Sequence, residues 1–289
     1  MTNKKTISVI GGDSRLIYAA EYLADSGHFV SVYGSEHGKI PTTVKKLSSL
    51  KEAMSNEIIL LPLPVSKNGK SLNTPLSSKD IYLKDLTEEI SEHNTVFLGM
   101  GQQSLLKQIE AKAKSVCDYF TIETLTYKNA LLTAEGILGI ILEKLPVSVF
   151  GLKIAVTGYG RIASFLSEML FSLGASVTVF ARNELQLTKA RISGINACKL
   201  TEIGEKAGEF DCIVNTVPSI VIDEKTILNT KKDCILIESA SAPYGIDFEA
   251  CSKHERVLIK AFSLPGKTAP KTAGIIIGET ISDCIKEVK

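Results

Sequence analysis

The chain of 289 residues has no tryptophan, four histidines, and six cysteines with no C-x-x-C pair among them. Structural zinc needs Cys and His ligands at short paired spacings, and a disulfide framework belongs to small, cysteine-dense secreted chains. Neither is supported. Cys117, Cys198, Cys212, Cys234, Cys251 and Cys284 are read as reduced thiols, with Cys212 and Cys234 serving as small hydrophobes inside apolar runs. Net charge is equally scarce. Thirty-three Lys and Arg against 32 Asp and Glu leave +1, too little to draw a protein onto a phosphate backbone, so no nucleic-acid partner is expected. No apolar run approaches the roughly 18 residues of a membrane span. The opening MTNKKTISVI has no secretory h-region. The expectation is a cytoplasmic protein without a membrane partner.

With 44% hydrophobic and 22% charged residues, the composition is that of an ordinary folded protein rather than a disordered one. At about 100–200 residues per domain the length suggests two domains. Short Val- and Ile-rich runs recur at 7–10, 29–33, 58–61, 95–98, 153–157, 176–180, 212–215, 234–237 and 257–259. Stretches with helical spacing separate most of them, the pattern of βαβ units and a parallel sheet. The two halves also resemble each other. ISVIGGDSRLIYAAEYLADSGHFVSVYGS, from Ile7, lies without a gap over IAVTGYGRIASFLSEMLFSLGASVTVFAR, from Ile154. Gly11 falls on Gly158, Gly27 on Gly174, and Val30 and Val32 on Val177 and Val179. The fold class expected is α/β, two doubly wound Rossmann-like domains joined by helices with a cleft between them. The expected boundaries are 1–127 for the first domain, 128–146 for a connecting helix and 147–267 for the second domain. A C-terminal helix over 268–289 is expected to pack back on the first.

The strongest chemical signal is Gly158-Tyr159-Gly160-Arg161-Ile162-Ala163, a G-x-G-x-x-A between an apolar strand and an amphipathic helix. Gly158 permits the tight turn, Gly160 lets the backbone approach a pyrophosphate, and Ala163 lets the helix pack closely on the sheet. The helix N-terminus then offers N–H groups to the phosphates. These residues point to a nicotinamide dinucleotide. An NAD site usually ends its second strand in Asp or Glu, whereas this chain has Arg182 and Asn183 there. Arg182 suits a 2′-phosphate, so NADP is favoured, with NAD the alternative. Two later strand ends, Asn215-Thr216-Val217-Pro218 and Glu238-Ser239-Ala240-Ser241, should also face the cofactor.

In the first copy Asp13 stands where Gly160 stands in the second, and a carboxylate there opposes a dinucleotide. Gly12, Asp13, Ser14 and Arg15 are candidate substrate contacts, Arg15 as a fork for a carboxylate, although Asp13 or Ser14 as a plain helix cap reads equally well. Lys267, Thr268, Lys271 and Thr272 form a second anion-friendly stretch, Thr268 or a neighbour capping the last helix. Together these suggest a small dicarboxylic acid. Lys271 and Glu135 are the acid–base candidates. Asp13 and His37 remain further possibilities.

These residues resemble the A subunit of the bacterial dipicolinate synthases. The resemblance is carried by VIGGDSR at 9–15, LPLPVS at 61–66, NALLTAEG at 129–136, VTGYGRIA at 156–163, NTVPS at 215–219 and LPGKTAPKTAG at 264–274. It implies that the protein acts with a second, flavoprotein-like B subunit in the mother cell of a sporulating bacterium. Together they would oxidise dihydrodipicolinate to pyridine-2,6-dicarboxylate with a nicotinamide cofactor. Two other readings stay open. A 2-hydroxyacid-type dehydrogenase shares the architecture, although ESASAPYG at 238–245 holds neither the Arg nor the His of that family. A nucleotide-binding partner without catalysis of its own is also compatible with the residues.

Overall fold

The computed structural model describes residues 4–287; the first three residues of the opening segment and the last two of the C-terminal stretch lie outside them. The chain divides into two units. One runs up to Asn129 and resumes at Ala269; the other is Ala130–Thr268.

In the first unit the order is β1 (Thr6–Ile10), α1 (Ser14–Asp25), β2 (Phe29–Tyr33), β3 (Lys45–Lys46), α2 (Leu50–Met54) and β4 (Ile58–Leu60). Then come α3 (Leu83–Glu89), β5 (Thr95–Leu98), α4 (Gln103–Glu110) and β6 (Ser115–Asp118). Helix α5 (Glu123–Lys144) contains the boundary between the units and starts before the expected Lys128, because a polar turn, Glu123–Tyr127, precedes its apolar stretch.

The second unit holds β7 (Lys153–Thr157), α6 (Arg161–Ser172), β8 (Ser176–Ala181), α7 (Glu184–Ile192), β9 (Asn196–Lys199) and α8 (Ile203–Lys206). It continues with β10 (Cys212–Asn215), α9 (Glu224–Asn229), β11 (Ile235–Glu238), α10 (Phe248–Lys253), β12 (Val257–Lys260) and α11 (Leu264–Thr268). Helix α12 (Pro270–Glu287) belongs to the first unit.

Each unit carries one six-stranded parallel sheet, β3-β2-β1-β4-β5-β6 in the first and β12-β11-β10-β7-β8-β9 in the second. Both have the doubly wound order. The strand sequence reverses between β1 and β4, and again between β7 and β10, and ligands of such sheets sit beyond the carboxyl ends at that reversal. Strands covered on both faces must be apolar throughout, which explains the unbroken runs. In the second unit Ile154, Val156, Val177, Val179 and Val214 pack into one core, while Ala155, Phe180, Ile213 and Leu236 pack into the opposite one. The two expected domains are thus present as folds. Strands β3, β6 and β9 lie at sheet edges and are half-buried or exposed. They have no apolar run to announce them.

By length and composition α5 is apolar enough to cross a membrane, contrary to the expectation that no segment qualifies. Its apolar side chains have another use: Ala134, Ile137 and Ile141 are buried in the core of the second unit. Gly136 lies against α11, where a Cβ would come 2.8 Å from Leu264 Cβ.

Helix α12 lies on α1 through two glycines one turn apart. A Cβ on Gly274 would sit 2.4 Å from the Arg15 carbonyl oxygen and 2.5 Å from Tyr18 Cβ, and one on Gly278 would meet the Tyr22 ring. Because backbone blocks the way at Gly274, no side-chain rearrangement relieves the clash. Gly274→Ala should cost about 3 kcal/mol by overpacking, read as a lowered Tm of the purified chain; an unchanged Tm would show that the helices do not approach as described.

Candidate functional site

The two glycine turns fold alike and end differently. Gly11 and Gly158 both take positive φ, +70° and +81°. Asp13 and Gly160 then occupy the N-cap positions of α1 and α6 with nearly the same backbone, φ −92° and ψ −170° against φ −85° and ψ −167°. The first four N–H groups of a helix have no partner within it. At α1 the Asp13 carboxylate accepts from Arg15 N, and the Asp13 carbonyl accepts from Leu16 N. At α6 no side chain caps the helix, Gly160 is exposed, and a Cβ there would meet nothing within 4 Å.

What lies over each turn also differs. In the first unit the segment 72–74 covers it: Gly12 N donates to Asn73 O, and a Cβ on Gly11 would strike Thr74 Cγ2 at 2.4 Å. In the second unit Gly158 faces only the strand end after β10, with Thr216 Oγ1 2.9 Å and Val217 Cγ2 3.1 Å from an imagined Cβ. Beside the turn is a cavity of about 340 Å³. Its walls bring together Gly158, Tyr159, Gly160, Arg182, Asn183, Thr216, Val217 and Pro218. Ala181, Gln186 and Leu200 join them, three residues with no motif to mark them. A phosphate-bearing dinucleotide fits this setting, since glycine alone stands at an uncapped helix start with open space above it.

Individual residues refine the expectations. Arg182 is exposed at the end of β8. Asn183 caps α7, its Oδ1 accepting from Leu185 N at 2.8 Å, so that oxygen is committed to the helix. Tyr159 is buried in the core, and burial pushes its phenol up. Arg161 and Ile162 begin α6 without lining the cavity, as do Ser239 and Ala240 after β11. Ser239 Oγ donates to Asn215 O at 2.9 Å, and Ala240 is buried with its N–H given to Glu238 Oε1 at 2.8 Å. The Ser239-Ala240 strand end therefore ties two loops together, and neither residue is among those lining this cavity.

Three strand-end residues organise that tie, Asn215 and Glu238 from the two expected strand ends and Thr157, which was not singled out from the sequence. Thr157, Asn215 and Glu238 end β7, β10 and β11 in register, all fully buried. Thr157 Oγ1 donates to Asn215 Oδ1 at 2.5 Å, and Asn215 Nδ2 donates to Glu238 Oε1 at 2.7 Å. Glu238 Oε2 accepts from Gly245 N and Ile246 N at 2.8 and 2.9 Å. A polar residue closing each of three adjacent apolar runs was the available signal.

The first unit corrects one expectation. Arg15 is not a free fork for a substrate carboxylate. Its Nε and Nη2 donate to both Asp13 oxygens, at 2.9 and 2.8 Å for the shorter bond of each, and Nη2 also donates to the Leu63 carbonyl. Gly12 has its N–H taken by Asn73, and Ser14 is half-buried at the start of α1. Thr268 does not cap α12 either. Residues 264–268 form α11, the Thr268 hydroxyl donates to Leu264 O, and the Ala269 carbonyl takes the first bond of α12 from Ala273 N. Lys267, Lys271 and Thr272 are exposed, with Lys267 in the second unit and the other two in the first. Glu135 is exposed on α5. His37 is exposed and holds Ser78 Oγ at 3.2 Å.

Residues 6–120 match the family described as the N-terminal domain of the dipicolinate synthase A subunit. The dipicolinate synthase A subunit of Bacillus subtilis (strain 168) is 26% identical over 287 residues, covering 98% of this chain and 96% of that one. The resemblance to that family is borne out. The crystal structure of the Bacillus subtilis A chain superposes with a TM-score of 0.87 at 26% identity, covering 99% of this chain and 97% of that one. The A subunit from Bacillus halodurans gives 0.87 at 23%, covering 98% of both chains. A transhydrogenase from Sinorhizobium meliloti shares the fold, with a TM-score of 0.71 at 12% identity, covering 97% and 93%.

Equal backbones at the two caps allow a direct exchange. Gly160→Asp should give α6 the carboxylate cap of α1, holding stability or raising it by about 0.3 kcal/mol. It should also weaken binding of a nicotinamide dinucleotide about a hundredfold or more by putting a negative side chain at the phosphate position. Tm and titration calorimetry on the same sample check both halves. Retained binding would place the nucleotide elsewhere.

Proposed function

We propose that this chain is the dinucleotide-dependent oxidoreductase subunit of a dipicolinate synthase, oxidising dihydrodipicolinate to dipicolinate with NADP⁺. Similarity to the A subunit of Bacillus subtilis across 98% of the chain carries this reading, and the open, uncapped turn at Gly160 supports it. A second, flavoprotein-like subunit completes the synthase, in the mother cell of a sporulating bacterium.

The residues have separate tasks. Backbone N–H groups at Gly160, Arg161 and Ile162 receive the pyrophosphate, with Gly158 and Tyr159 shaping the turn. Arg182 takes the 2′-phosphate with two N–H donors, and Asn183 holds the start of α7 beside it. Thr216, Val217 and Pro218 bound the other side of the cavity. Thr216 Oγ1 donates to Thr157 O at 2.7 Å, which fixes that wall. When bound, the oxidised dinucleotide supplies a hydride acceptor. The substrate ring loses a hydride and a proton and becomes aromatic. Lys267, Lys271 and Thr272 are the candidates for its two carboxylates, and Glu135 or Lys271 for receiving the proton. The Asp13–Arg15 pair is left out of this assignment, since the guanidinium's Nε and Nη2 are already engaged by Asp13 and the Leu63 carbonyl.

The deciding experiment supplies the purified chain with freshly generated dihydrodipicolinate and NADP⁺, with and without the second subunit, and reads dipicolinate by terbium luminescence. Product above a no-enzyme control is expected; its absence in both arms, with NADP⁺ bound, overturns the oxidation and leaves a nucleotide-binding partner. Arg182→Gln should lower NADP⁺ affinity by about tenfold to a hundredfold, the worth of charge-assisted hydrogen bonds, and leave NAD⁺ affinity nearly unchanged. Equal losses for both dinucleotides would remove Arg182 from the 2′-phosphate.

A further inference from the structure

Glu238 is fully buried, and four groups donate hydrogen bonds to its carboxyl oxygens. Oε1 accepts from Asn215 Nδ2 and Ala240 N; Oε2 accepts from Gly245 N and Ile246 N. Three of the four partners are backbone N–H groups, which only donate. The fourth is fixed as a donor by its own neighbours. Val217 N donates to Asn215 Oδ1 at 3.1 Å, which leaves the amide nitrogen to face Val217 O and Glu238. All four partners donate to it, an arrangement that suits the carboxylate form. It has no counter-charge: among the described residues no cation lies within 4.0 Å of it. Lys260 is paired in register with Glu238 on β12, yet its ammonium sits over the Phe248 ring, 4.3 Å from the centroid. Burying a bare charge is costly, and dipoles alone hold this one.

Its position gives the charge a use. The pyrophosphate belongs at α6, and the adenosine ribose belongs at the end of β8, where Arg182 stands. The remaining half of the dinucleotide then extends the opposite way from the turn, toward the ends of β10 and β11. Glu238 ends β11. The nicotinamide ring is cationic when oxidised and neutral when reduced, and a fixed anion in a poorly screened setting distinguishes the two.

We infer that Glu238 biases the second unit toward the oxidised dinucleotide, acting through its buried charge without touching the ligand. This rests on the dinucleotide reading above. It gives an oxidase a bound cofactor in the form that accepts hydride and weakens retention of the reduced form.

The test is calorimetric binding of NADP⁺ and NADPH, or of NAD⁺ and NADH if those are what the chain binds, to the purified full chain. Wild type should bind the oxidised form the more tightly. Glu238→Gln keeps the shape and removes the charge, and should reduce that preference by about fivefold or more. Glu238→Asp keeps the charge and shortens the reach; it should lower affinity for both forms together and hold their ratio within about twofold. A purely structural Glu238 predicts the reverse ranking, with Asp the more damaging and the ratio unmoved by either, and that result overturns the inference. If Glu238→Gln does not fold by circular dichroism, wild type decides: reduced cofactor bound as tightly as oxidised is equally fatal. Absence of any dinucleotide binding by wild type would instead overturn the cofactor assignment itself.

Discussion

A helix begins with N–H groups that it cannot satisfy itself, and this chain resolves the same problem in two opposite ways. At α1 a carboxylate turns back and accepts from the helix. At α6, with the backbone in almost the same conformation, there is only a glycine and open space. One unit is closed over its turn by its own segment 72–74, and the other has no side-chain cap at its glycine. A duplicated fold thus separates into a finished surface and an unfinished one through a single side chain.

The fold was legible because parallel strands covered on both faces must be apolar along their whole length. Nine runs could be found by eye, and the ungapped match of the two halves placed both glycine turns. The edge strands β3, β6 and β9 escaped, since a strand with one neighbour need not be apolar: Lys45–Lys46 carries two exposed ammonium groups. The start of α5 escaped for a related reason, its first turn being polar.

At the site, residues defined by backbone geometry were readable and residues defined by partners were not. Gly158 and Gly160 follow from the steric needs of a turn, and they line the cavity together with Arg182, Thr216 and Pro218. Arg15 looked like a free fork because its ion pair with Asp13, two residues away, competes equally well with any ligand, and sequence does not say which wins. Asn215 and Glu238 were read only as members of strand ends facing the cofactor, because their pairing with each other lies in strand register. Only when β10 and β11 are laid side by side do the amide and the carboxylate face each other.

The short, polar edge strands have a consequence for how copies of the chain meet. An exposed strand presents a row of unpaired N–H and C=O groups on which another chain can grow. Here one edge of the first sheet is two lysines long, and both edges of the second are four residues long. A second molecule approaching the lysine edge would meet like charge before it had made more than a bond or two. Twelve parallel strands, slow to assemble because each pairing joins distant parts of the chain, are therefore bordered by segments too short to template misassembly while the chain is still folding.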